Sequence, residues 1–110
     1  MSKLIIRAKT FEAWMRANFE KSTLTDMIQY GCQGGFPMLT YYTDTCKLYN
    51  SFKEEIWEAV VQDAEEYGNN NPFEYMATWG GAKNVGDADQ FENLMTWYMA
   101  ERTAHQILDT

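Results

Sequence analysis

Cys32, Cys46 and His105 are the residues whose types could supply a nucleophile and its base. Nothing in their spacing brings them together. His105 sits near the end of an apolar helical pattern with Glu101 one turn before it, which reads as a packed or partly exposed histidine, and a small Cys/His enzyme stays only as an alternative. A structural or catalytic metal needs three or four ligands at a recognised spacing. Two cysteines 14 positions apart and one distant histidine do not provide it, and the acidic segment lacks the alternating oxygen ligands and central glycine of a calcium loop. We therefore expect neither metal nor cofactor. The glycine-rich GCQGG, residues 31–35, invites comparison with a phosphate cradle, but Phe36-Pro37 follows where a helix start and a Lys or Ser/Thr would be needed. It reads instead as a helix stop and a turn. Glu54, Glu55, Glu58, Asp63, Glu65 and Glu66 fall on one side of a helical pattern. They look like a solvated face, whereas acid–base catalysis wants a sheltered pair.

The elements that must carry these residues read mainly as α-helix. A first helix over about Thr10 to Glu20 shows Phe11, Trp14, Met15 and Phe19 on one face. Thr23 with Asp26 forms a capping box for a short second helix, which Gly31 ends. Ser51 with Glu54 makes a second box ahead of Phe52, Ile56, Trp57, Val60, Val61, Ala64 and Tyr67, with Gly68 as the stop. Helix could already begin near Asp44, leaving Ser51 as a bend. Asn71 caps a helix with Pro72 at its first position. Lys83 to Gly86 read as a loop, and Asp87 with Gln90 caps a last helix to about Leu108 whose wide apolar stripe places it at the centre of a bundle. The opening Leu4-Ile5-Ile6 is a short strand or an extended arm. Residues 1–110 thus read as a single-domain bundle of five or six helices.

Composition narrows the possible partners. At 110 residues the chain can bury roughly two thirds of its unfolded surface. It is 45% apolar, 15% aromatic and 23% charged, a globular composition. Seven tyrosines, six phenylalanines, four tryptophans and seven methionines are more than a small core hides, so a partly exposed aromatic and methionine surface is expected. The net charge is −7, with residues 1–21 at +3 and residues 22–110 at −10. Such a surface repels phosphate backbones, so direct nucleic-acid binding is not expected, and a basic protein surface is attracted instead. No apolar run is long enough for a membrane span or a signal peptide, which makes the cytoplasm the expected location and the cysteines reduced thiols.

Two segments, GGFPMLTYYTDTCKLYNSFKEEIWEAVVQDAEEYG (residues 34–68) and ATWGGAKNVGDADQFENLMTWYMAERTA (residues 77–104), resemble a family of small acidic proteins of bacteriophages and other mobile elements. The shared pattern is a tyrosine pair (Tyr41, Tyr42) before Glu55-Ile56-Trp57, then the Gly81-Ala82-Lys83 and Val85-Gly86 loop, then Gln90, Phe91, Asn93 and Leu94. The first 30 residues fall outside it. The resemblance implies a mobile-element origin and an anti-defence role, with no catalytic residue to carry over.

Together these readings predict a stoichiometric, protein-binding inhibitor of a bacterial defence system in an infected host. The leading form is an anti-CRISPR that covers a basic nucleic-acid-binding or recruitment surface of a CRISPR effector. An antirestriction DNA mimic aimed at a restriction enzyme and a self-assembling scaffold module are further alternatives. The expected contact residues are Glu54, Glu55, Glu58, Glu65 and Glu66 for charge, with Tyr41, Tyr42 and Trp79 as aromatic anchors. The protein itself would be a monomer or homodimer.

Overall fold

A computed structural model describes residues 8–34, 36, 39–68, 70–80 and 88–109, with the side chains of 30–34, 40, 41, 77–80 and 88–90 excepted. The described residues form seven helical segments and no strand, a mainly α bundle in which α3 is a single turn. The N-terminal Leu4-Ile5-Ile6, the Lys83 to Gly86 loop and the Asp87 cap lie outside the described residues.

Helix α1 (Phe11–Asn18) begins as its residue types require. Thr10 is extended, and its hydroxyl accepts the Ala13 N–H at 3.1 Å. Phe11, Trp14 and Met15 are buried on one face. Helix α2 (Lys21–Gly34) departs from the sequence reading at both ends. It starts before Thr23, so the Thr23–Asp26 box does not begin it, and it runs through Gly31 to Gly34. The helix packs along α7, and that burial outweighs the roughly 1 kcal/mol by which one internal glycine disfavours helix. Because residues 31–34 form the C-terminal end of a helix, their N–H groups serve the helix itself and the unsatisfied groups there are carbonyls. A carbonyl end repels anions, which removes the phosphate-cradle reading of GCQGG.

After the single turn α3 (Leu39–Tyr42), Asp44 caps α4 (Thr45–Ser51) by accepting the Lys47 N–H at 3.1 Å. The Ser51–Glu54 box does not form: the Ser51 hydroxyl donates back to the Lys47 carbonyl at 2.9 Å. The bend falls at Phe52, which is non-helical and buried, and α5 (Lys53–Glu66) starts after it without a side-chain cap. Gly68 closes α5 with φ +75°, the left-handed conformation expected of a glycine stop. In α6 (Pro72–Gly80) the Asn71 side chain accepts the Phe73 N–H at 2.9 Å, with proline at the first helical position as read.

Helix α7 (Ala88–Leu108) is the bundle's centre, packed against α1, α2, α4, α5 and α6. Its Leu94, Met95, Met99, Ala100, Ala104 and Ile107 join Phe11, Trp14, Leu48, Ile56 and Val60 in the core. Met15, Met27, Met76, Met95 and Met99 are all buried, so the methionines among the described side chains fill core gaps and do not form the expected surface.

Candidate protein-binding surface

The acidic face of α5 divides into two sets. Glu54, Glu58 and Glu65 recur at the spacing of one helix line and are exposed; Glu66 is exposed on an adjoining line. Glu55 lies about 100° further round. That step turns it toward α1, where it is half-buried and its carboxylate accepts the Phe11 N–H at 3.0 and 3.3 Å. The first turn of a helix has unsatisfied N–H groups and a positive dipole end, so a carboxylate there is favoured. Glu55 is therefore a structural cap for α1, and its place on the solvated face is corrected.

Asp63 is corrected in the same way. Its side chain is 13% exposed, and its Oδ2 accepts both the Tyr98 hydroxyl at 2.5 Å and the Arg102 Nε–H at 2.9 Å. The Tyr75 and Tyr98 hydroxyls are 2.6 Å apart. This network joins α5, α6 and α7. Burial, with the Asp63 carboxylate next in importance, pushes the Tyr98 phenol far above its ordinary value, and burial also raises Tyr75. Both phenols stay protonated at any physiological pH, which suits hydrogen-bonded packing and not proton transfer near neutrality.

Beside the exposed glutamates runs an apolar seam between α5 and α6. Val61 is 38% exposed and sits within the acidic line itself, four residues after Trp57. Phe73 is 52% exposed, its ring 5.7 Å from Trp57 and stacked on Phe91 at 5.0 Å. Trp57 is held in turn by donating its indole N–H to the Tyr49 hydroxyl at 2.7 Å. At the C-terminal end of α5, Tyr67 is 76% exposed and stacks on Tyr75. Val61 and Tyr67 read as core positions in the sequence, and Phe73 belongs to no periodic pattern there. One signal was available: Val61 is an apolar residue three positions after Glu58 and four before Glu65, in a line otherwise acidic.

The other expected contacts fall differently. Tyr42 is half-buried and packed against the core, its ring in a T-shaped contact with Phe19 at 6.0 Å. The side chains of Tyr41, Trp79 and Cys32 lie outside the described residues. Cys46 is exposed on α4, and His105 is exposed on α7 beside a depression walled by Tyr67, Tyr75 and Tyr98. Among the described residues no three His, Cys, Asp or Glu side chains form a metal-holding group, and no helix is long and apolar enough to cross a membrane.

No curated protein and no solved structure matches the chain. A family model described as a domain of unknown function, DUF7222, matches residues 4–110, and the chain belongs to that family.

Proposed function

We propose that this protein acts by stoichiometric binding to a basic surface of another protein, through the outer face of α5 and its seam with α6. One observation carries the reading. Glu54, Glu58 and Glu65 stand exposed in one line with Val61, and Phe73 lies across the seam against Trp57, so charge and apolar area share one face. Buried aromatic anchors supply most of the binding energy at protein interfaces, and surrounding charges speed encounter and set partner choice. The same acids disfavour a symmetric dimer through this face, because a two-fold contact would set glutamate against glutamate.

The partner we infer is a bacterial defence complex, foremost a CRISPR effector whose basic nucleic-acid channel or recruitment surface the protein covers. The resemblance of residues 34–68 and 77–104 to phage and mobile-element proteins supports this assignment by analogy. Antirestriction is the nearest alternative of the same kind. Titration calorimetry against purified CRISPR effectors at low and high salt is the test. A one-to-one complex that weakens as salt rises is expected. Absence of binding to every effector type would overturn the defence assignment.

A further inference from the structure

Where α5 hands over to α6, a depression of about 300 Å³ lies against α7, at the lower end of the size range of small-ligand sites. From α7 it takes Tyr98, Glu101, Arg102 and His105, whose spacing makes them one stripe of that helix about 10 Å long. Tyr67 and Tyr75 complete the lining. Tyr67 is 76% exposed, yet its ring is stacked on Tyr75 at 5.7 Å and 21°, so a large aromatic surface stands in water already oriented. Tyr75 in turn makes a T-shaped contact with Tyr98 at 82°.

The polar groups of the depression are of both kinds. Since the Tyr98 hydroxyl donates to Asp63, the 2.6 Å contact between the two phenols is Tyr75 donating to Tyr98. The Tyr75 oxygen keeps lone pairs for another donor. Arg102 spends its Nε–H on Asp63 at 2.9 Å, and its four other N–H groups have no partner among the described residues. Glu101 adds a carboxylate, and His105 a ring that can both donate and accept. One carboxylate against one guanidinium leaves no strong preference for an anion or a cation. Such a lining suits a neutral ligand with hydroxyls round its edge and a flat apolar face.

The geometry points to a pyranose sugar as that ligand, its C–H face packed on the Tyr67 ring and its hydroxyls bonded to Arg102, Glu101, His105 and the Tyr75 oxygen. A β-glucopyranosyl ring is the best match of its class. All its hydroxyls are equatorial, so both faces present only C–H bonds, whose weak positive charge meets the negative face of an aromatic ring. The site depends neither on the acidic line of α5 nor on the partner proposed above.

Cellobiose, methyl β-D-glucopyranoside and the acyclic polyol sorbitol, each titrated into the isotopically labelled full chain and followed by amide chemical shifts, provide the test. Both sugars should give saturable shifts centred on Tyr67, Tyr75 and residues 98–105. Sorbitol, which has the hydroxyls without the ring, should give none. Tighter binding of cellobiose than of the glucoside would support a glycan chain as the source, and equal binding a single sugar. Tyr67→Ala should weaken binding about tenfold while the circular dichroism stays that of the wild type; Tyr67→Phe, which keeps the ring, should bind as the wild type does. No saturable response to either sugar, a sorbitol response equal to theirs, or stronger binding of tetramethylammonium or acetate would overturn the assignment. Sugar shifts centred elsewhere, or Tyr67→Ala binding as tightly as the wild type, would overturn it as well.

Discussion

On α5 the carboxylates of Glu54, Glu58 and Glu65 stand in solvent, whereas those of Glu55 and Asp63, on other sides of the same helix, are held by a backbone N–H, a phenol and a guanidinium. The residue types are the same. Their environments differ because each position turns about 100° from the last, so one residue's step exchanges water for a neighbouring helix. Acids with partners hold the bundle together, and acids without that burden are available to another molecule. The two sets should therefore respond oppositely to substitution.

The inner face gives the largest effects. Ile56 is fully buried, and Ile56→Ala should destabilise the fold by about 3 kcal/mol, measured by urea unfolding. Asp63→Ala should follow at about 2 kcal/mol, since it leaves the Tyr98 hydroxyl and the Arg102 guanidinium in a half-buried setting without their shared acceptor. If Asp63→Ala leaves stability unchanged, the inner acids are not structural and the comparison fails.

The same network predicts a pH dependence at the alkaline end. An unfolded tyrosine ionises near its ordinary 10.0, whereas folded Tyr98 ionises well above it. A group whose folded value is raised contributes stability that is complete below pH 10 and declines as pH rises further. Stability should fall above that pH as unfolding releases the Tyr98 proton, and the fall should be shallower in Tyr98→Phe. Thermal melts across the alkaline range, with tyrosinate absorbance recorded alongside, check both points.

Smaller effects sharpen the boundary. Gly68→Ala should lose about 1 kcal/mol, all of it from the backbone at φ +75°, because nothing lies within 4 Å of an added Cβ. The triple reversal Glu54→Lys, Glu58→Lys, Glu65→Lys should change stability by no more than about 0.5 kcal/mol. Lysine is slightly unfavourable near the helix start and slightly favourable near its end, so the dipole terms largely cancel.

Much of the bundle was legible in the sequence because local signals agreed with tertiary packing. Asn71 caps and Gly68 stops a helix as their types require, and the wide apolar stripe of α7 announced its central place. The Thr23 and Ser51 boxes did not form, since a capping pattern within a longer packed helix, or beside a buried residue such as Phe52, loses to the burial of its neighbours. Gly31 was overridden in the same way. For the candidate surface, the exposed glutamates could be read from periodicity. Which acids would face α1 or α7 could not, because that depends on how α5 is rotated in the bundle. Phe73 and Tyr67 flank the α5–α6 connection, where periodicity gives no inside or outside.

The outer face as a binding surface that folding does not need is tested most directly by the triple-reversed variant in a phage challenge. The wild-type chain, expressed in a bacterium whose CRISPR system targets the phage, should restore plaque formation. The triple-reversed variant, melting at the wild-type temperature and present at the same level, should fail to do so. Plaque formation restored equally by both would contradict the account.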